Sequence, residues 1–327
     1  MISKLQKPLG SGFGQKTEPN EILENINLSN KTIIITGGYS GIGLETTKSL
    51  KSCGARVIVP AKRVEVAIER LKGIIPKEDI IKMDLEDLDS VQQFTDSFKE
   101  ENIPLDILIN NAGIMACPET RTPNGWESQF AINQIGHFLL TKELMDSMKK
   151  AKESRLVSLS SSAHSLSGIL WDDIHFNTKP YDKWVAYGQS KTASALLAIE
   201  FDRLMKDYGG RGFAVHPGGI ITPLQRHLGD EEMVALGWKK EDGSLSDMAA
   251  SFFKSPSQGA GTTLWCATSS MLEGLGGVFC ENCDIAERKV NVDESMRRFF
   301  GVADWAIDSE EATRLWSESE NLLSQDH

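Results

Sequence analysis

The sequence predicts an α/β fold: a single domain, doubly wound around a parallel sheet of about seven strands, with helices on both faces. Three observations carry this. Short β-branched runs alternate with longer helical stretches over most of the chain, the pattern of repeated β–α units. The first such run leads straight into a glycine-rich turn and a helix. The composition is that of a globular protein, 40% hydrophobic and 25% charged.

The elements follow in order. Residues 1–30 are polar and read as an arm with one short helix near Asn20–Asn27. Thr32–Thr36 is a β-branched strand of the kind buried on both faces. After the glycine turn come helix Ile42–Cys53, strand Arg56–Pro60, helix Val64–Leu71, strand Asp79–Met83 and helix Leu88–Glu100. Strand Leu105–Ile109 precedes one long helix over Trp126–Lys149. Strand Arg155–Leu159, a second long helix over Asp182–Met205 and strand Gly212–His216 complete the regular alternation. Right-handed crossovers between parallel strands distribute such helices over both faces. At 222–256 the alternation breaks into a partly helical excursion, after which helix Ser257–Ser269 and a last strand Gly277–Cys280 follow. The organisation is thus an arm over 1–30, a main domain over 31–285 with the 222–256 insertion as a substrate lid, and a helical tail over 286–327. In the tail, Ser309-Glu310-Glu311 marks a helix start, a hydroxyl cap with early acids.

Charge and cysteine usage narrow the class. The 327 residues carry a formal net charge of −11, and an acidic surface repels phosphate backbones, so no nucleic acid is expected. No run approaches the ~18 apolar residues of a membrane helix, and the N-terminus lacks an apolar leader. No membrane partner and a cytoplasmic setting are expected. Cys53, Cys117, Cys266, Cys280 and Cys283 form no disulfide framework. Cys280-x-x-Cys283 stands without the further ligands zinc needs, and His164, His175 and His216 are not spaced as ligands, so no metal is expected. A redox role for the cysteine pair is the alternative to plain packing.

The turn Thr36-Gly-Gly-Tyr-Ser-Gly-Ile-Gly43 lies between the first strand and the first helix. Glycine serves there because the turn needs unusual backbone angles and close approach to a pyrophosphate. The helix then offers free N–H groups to the phosphates. Gly37, Tyr39, Ser40, Gly41, Ile42 and Gly43 are the expected contacts of a Rossmann-type dinucleotide site, although Thr46 stands where a third glycine is usual. About 20 residues on, an NAD enzyme places an acid against the ribose hydroxyls. Here Lys62 and Arg63 occupy that region. They suit a 2′-phosphate, which favours NADP(H) over NAD(H). The plainer alternative is a pair of solvated charges starting a helix.

Thr36-Gly-x-x-x-Gly-x-Gly43, Asn110-Asn-Ala-Gly113, Asn133, Ser161, Tyr187-x-x-x-Lys191 and Pro217-Gly218 occur in that order. Together they resemble the short-chain dehydrogenase/reductase family over roughly residues 30–285. The runs around Arg155–His164 and Asn133–Phe138 look most like its retinol-dehydrogenase-like and protochlorophyllide-reductase-like branch. The resemblance implies that Ser161, Tyr187, Lys191 and Asn133 are catalytic, with Asn133 holding a relay water. It also implies that Asp84, Leu85, Asn111, Ala112 and Gly113 line the adenosine side. Pro217, Gly218, Ile220 and Thr222 would edge the nicotinamide and diphosphate. The two long helices form the usual pairing face of that family, so a homodimer or homotetramer is expected.

The residue types carry the same chemistry. Hydride transfer to a carbonyl needs a proton for the developing alkoxide. Lys191 follows Tyr187 by four residues and so shares its helix face; its ammonium is expected to lower the phenol pKa. Ser161 supplies an oxyanion-type donor; Ser160 and Ser162 flank it, and only the family register selects among them. The expected reaction interconverts an alcohol and a carbonyl, with an apolar substrate hinted at by Leu224, Leu228, Met233, Leu236 and Trp238 in the lid. Reduction of a carbon–carbon double bond and a non-catalytic nucleotide-binding regulator are the alternatives. Trp171, Trp184 and Trp238 are read either as packing or as walls of the substrate cleft.

Overall fold

Ile33, Ile34 and Ile35 are fully buried and face alternately. Ile33 and Ile35 enter one core and Ile34 another. This is the period-2 geometry of a strand covered on both sides. The computed structural model describes residues 1–324. In chain order its elements are α1 (Pro19–Ile22), β1 (Thr32–Ile35), α2 (Gly41–Ser52), β2 (Arg56–Ala61), α3 (Val64–Leu71), β3 (Ile80–Lys82), α4 (Leu88–Glu100), β4 (Ile107–Asn110), α5 (Ser128–Phe130), α6 (Gly136–Lys149), β5 (Ser154–Leu159), α7 (Lys183–Met205), β6 (Gly210–His216), α8 (Asp230–Ala235), α9 (Asp247–Phe252), α10 (Pro256–Thr268), β7 (Val278–Glu281), β8 (Asp284–Ile285) and α11 (Ser309–Ser324).

The sheet order is β3-β2-β1-β4-β5-β6-β7-β8. β1 to β7 pair in parallel. Leu50 of α2, Leu71 of α3 and Trp265 of α10 fill one face. Phe94 and Phe98 of α4, Phe138 of α6 and Phe201 of α7 fill the other. The doubly wound expectation holds. The sheet has eight strands rather than about seven, because β8 returns antiparallel to β7. The turn between them places Asn282 and Cys283 at φ 50° and 61°, a two-residue hairpin. A two-residue strand leaves no alternation for sequence reading to detect.

The helix expected over Trp126–Lys149 forms over Ser128–Lys149, continuous but not regular throughout. A wider π-turn over Ala131–Ile135 joins α5 to α6. The arm is not loose either. Gln6, buried, donates to Phe279 O and Ala286 O at 2.9 and 2.7 Å and accepts from Phe279 N at 2.8 Å, closing the sheet edge. Gln15 Nε2 donates to Phe252 O at 2.5 Å, and Lys16 to Phe253 O, so the arm also holds the end of the 222–256 segment.

The tail is helical only in α11 and in short 3₁₀ turns. α11 lies across α6 and α7: Trp316 meets Phe138 edge-on at 4.9 Å, Lys142 pairs with Glu320 at 2.9 Å, and Thr313 donates to Glu200 at 2.9 Å. This is the face through which a homodimer was expected, and the chain's own helix covers it. Among the described residues, no helix is long and apolar enough to cross a membrane, and no group of side chains could hold a metal. The five cysteines are unpaired, and Cys280 and Cys283 are accounted for by β7 and its hairpin turn.

Candidate active site

A cavity of about 1020 Å³ opens at the carboxyl ends of the strands, where doubly wound sheets bind ligands. Gly37, Tyr39, Ser40, Gly41, Ile42 and Gly43 line it after β1, and Lys62 and Arg63 after β2. Asp84 and Leu85 line it after β3, and Asn111, Ala112 and Gly113 after β4. Ser161, Tyr187, Lys191, Pro217, Gly218, Ile220 and Thr222 complete the same wall. Asn133 is the one predicted site residue that does not line it.

The glycine turn is built for close approach. Gly37 and Gly41 have φ of +66° and +53°. A Cβ on Gly43 would lie 2.4 Å from Gly37 O, so no side chain fits there. Ser40 stands at the N-cap of α2 without a side-chain cap bond, which leaves first-turn N–H groups open to the cavity. Thr46, in place of a third glycine, bonds Ile42 O within the helix at 3.0 Å. The donor set fits a dinucleotide diphosphate.

At the adenosine end the two predicted cations part ways. Lys62 pairs with Asp84 and with Glu86, both at 2.9 Å. Its charge is already neutralised, which corrects its expected role as a phosphate partner. Asp84 is likewise engaged, by Lys62 and by the Glu86 N–H at 3.1 Å. The Arg63 side chain has no hydrogen-bond or ion-pair partner among the described residues. Arg70, which sequence reading missed, also lines the cavity without a partner. Arg63 stands at the N-cap of α3 and Arg70 in its last turn, and both side chains reach the same cavity.

At the opposite end, Asp182 caps α7 by accepting from Trp184 N and Val185 N at 2.8 and 3.0 Å. This fixes the helix that carries Tyr187 and Lys191. Lys191 Nζ donates to Leu159 O at 2.9 Å, and Ser160 Oγ donates to Lys191 O at 2.7 Å, locking α7 to the end of β5. The two serines differ: Ser160 is committed to that lock, while the Ser161 hydroxyl hydrogen-bonds the Tyr187 phenol. Burial pushes the phenol up to about 12, only partly offset by Ser161. Burial pulls Lys191 down to about 8. The expected lowering of the tyrosine is therefore not what the fold alone produces. Lys191 Nζ stands 5.8 Å from the ring centroid and is anchored to Leu159, and burial dominates over its charge.

Asn133 sits in the π-turn, a geometry often found near functional sites. Its side chain is fully committed: Nδ2 donates to Ile114 O and Ser190 Oγ, and Oδ1 accepts from Ile114 N, each at 2.9 Å. This departs from a side chain holding a relay water. His137 was also missed. Its Nδ1 lies 3.1 Å from Asn133 O and its Nε2 2.9 Å from Thr36 Oγ1. Burial holds the ring neutral, down to about 3. Thr36 Oγ1 in turn accepts from Asn111 N and Ala112 N at 2.9 Å, so one hydroxyl ties β1, the loop after β4 and α6. Gly113 leaves space beside this hub: a Cβ there would stand 3.0 Å from Asn133 Oδ1 and 3.6 Å from Lys191 Nζ. Asn110 is structural, donating to Thr141 at 2.9 Å.

Aromatic rings roof the Tyr187 end of the cavity. Trp184 lies 6.4 Å from Tyr187, Trp238 6.2 Å from Trp184, and Phe253 5.8 Å from Trp238. Trp184 and Trp238 therefore line the cavity. Trp171 does not; it sits under Arg314 at 3.9 Å.

Known proteins resemble this chain along most of its length. Residues 31–233 match the family model described as short chain dehydrogenase. The chain is 36% identical over 304 residues to short-chain dehydrogenase/reductase prx1 of Penicillium roqueforti, covering 91% of this chain and 86% of that one. It is 34% identical to retinol dehydrogenase 12 of Mus musculus, covering 91% and 88%. It is 36% identical to the chloroplastic short-chain dehydrogenase TIC 32 B of Brassica napus, covering 96% and 95%. A crystal structure of an uncharacterized protein from Mycobacterium Paratuberculosis superposes with a TM-score of 0.69 at 28% identity, covering 92% and 96%. Fold, family model and full-length relatives agree: the chain belongs to the short-chain dehydrogenase/reductase family, and it is an oxidoreductase.

Proposed function

We propose that the protein interconverts an alcohol and a carbonyl on an apolar substrate, with NADP(H) as hydride partner and Tyr187 as acid and base. One observation carries the reading. The Ser161–Tyr187 hydrogen bond, with Lys191 beside it, stands in the same cavity as an uncapped helix N-terminus and two unpaired guanidiniums.

When bound, the dinucleotide supplies or accepts the hydride. The α2 turn holds its diphosphate, Asp84 and the Asn111–Gly113 loop its adenosine side, and Pro217, Gly218, Ile220 and Thr222 its nicotinamide side. Arg63 carries the preference for a 2′-phosphate. With its pKa raised to about 12, Tyr187 keeps its proton at neutral pH, so it acts as the acid toward a carbonyl oxygen. Ser161 donates to that oxygen. The positive charge of Lys191 stabilises the phenolate left behind. Asn133 and His137 hold the loop and helix ends around these groups rather than acting on substrate.

Any homodimer or homotetramer is assigned to a face other than α6–α7, which α11 covers. A cytoplasmic setting belongs to the same reading and agrees with five free thiols.

The test is fluorescence titration with NADPH and NADH, followed by a panel of apolar alcohols and ketones monitored through cofactor absorbance. Binding of NADPH with no turnover of any substrate would replace the enzyme by a nucleotide-binding regulator.

A further inference from the structure

Lys254 directly precedes Ser255, the N-cap of α10. It is 6% exposed, its Nζ has no hydrogen-bond partner among the described residues, and it lines the cavity. Its backbone is fixed: Lys254 N donates to Gly219 O at 2.8 Å, beside a bridge between Gly219 and Phe253. Its stem crosses the face of Gly218. A Cβ there would come within 2.7 Å of Lys254 Cε and 3.2 Å of Nζ. Gly218 also has φ +105°, so glycine at 218 both makes the turn and leaves room for the ammonium.

The charged and titratable groups around Lys254 do not satisfy it. Glu281, Cys283 and Lys16 contribute to its field. Glu281 accepts from Gly301 N at 2.8 Å and forms no ion pair with Lys254 among the described residues. Burial raises Glu281 to about 7 and Cys283 to about 11, so at neutral pH the thiol is uncharged and the carboxyl only partly ionised. An ammonium buried without a counter-charge is unfavourable unless a partner arrives.

We propose that Lys254 is an anion anchor of the cavity, whose ammonium takes an oxyanion of a bound ligand beside the Pro217–Gly218 loop. The proposal rests on reading the cavity as a dinucleotide and substrate site. Two sources supply such an oxyanion: the dinucleotide diphosphate, or an acidic group carried by the substrate.

Lys254→Met keeps the stem and removes the charge. It deletes an unpaired buried cation, so the variant folds with an equal or higher Tm. If the diphosphate is the partner, Kd for NADPH and for NADH both rise about tenfold in this variant. Arg63→Ala, by contrast, weakens NADPH alone. If the substrate supplies the oxyanion, both Kd values hold, and KM rises about tenfold for carboxylate-bearing ketones but not for uncharged ones, with kcat unchanged. A folded Met variant in which neither Kd nor the ratio of acidic to neutral KM moves by more than about twofold overturns the proposal. So does Lys254→Arg if, with the charge kept, it loses as much affinity as Met, because packing would then explain the effect. Wild-type protein that binds neither dinucleotide overturns the underlying reading and the anchor with it.

Discussion

The Ser161 hydroxyl hydrogen-bonds the Tyr187 phenol, joining the end of β5 to the second turn of α7. Each side chain is thereby held by the other and by the Lys191 lock beneath them. Tyr187→Phe should lower turnover by about 10²–10⁴-fold, while NADPH Kd, read by fluorescence, stays within about twofold of wild type. Ser161→Ala should cost about 10²-fold in kcat. An equal loss in Ser160→Ala would show that the wrong serine was chosen.

Carbonyl reduction should respond to the charge on Lys191. The folded-state value is lowered to about 8 by burial, so the ammonium is charged below that pH and lost above it. The rate of reduction is expected to be level below pH about 8 and to fall above it. A pH profile of kcat that rises through that range would contradict the assignment.

The same lowering has a stability counterpart at Lys254. Its folded value, about 8 against 10.5, means the unfolded chain binds more protons in that window, so its burial penalty eases as pH rises from about 8. Lys254→Met should therefore be more stable than wild type at pH 7, with the gap in denaturant midpoint shrinking toward pH 10. A gap that widens would reverse the sign.

Arg63 and Arg70 are expected to act together on a 2′-phosphate. Replacing either by Ala should raise Kd for NADPH about tenfold and leave NADH unchanged. Lys62→Ala should do neither, because Lys62 is already paired with Asp84 and Glu86. Isothermal titration of the three variants with both dinucleotides separates these outcomes.

The tail gives a fifth handle. Trp316→Ala removes the contact on Phe138 and should cost about 2 kcal/mol in urea unfolding. Deleting residues 309–327 should go further and uncover the α6–α7 face, so that the shortened chain self-associates in sedimentation more strongly than the full chain.

Local features were legible in the sequence. The glycine turn, the Tyr187–Lys191 spacing and the buried run Ile33–Ile35 each depend on near neighbours, and all sit where their pattern places them. What escaped depends on distant contacts. Lys62 looked free because Asp84 and Glu86 lie more than twenty residues away in the chain. The π-turn at Asn133 is invisible to helical periodicity, since one wider turn barely shifts the apolar stripe. The phenol shift was misjudged because four-residue spacing sets the direction of Lys191 but not the Leu159 carbonyl that captures its ammonium. His137, Arg70 and Lys254 carry no motif; only the fold reveals what each one faces.

The arm's grip on the 222–256 segment has a kinetic meaning. Gln15 holds Phe252 and Lys16 holds Phe253, at the point where that segment rejoins the body. Opening of such a segment often limits product release, and here it would break the Gln15 and Lys16 contacts while Gln6 and residues 9–11 stay anchored at the sheet edge. Release of product and exposure of that part of the arm to protease thus become two readings of one event, and bound dinucleotide should slow both together.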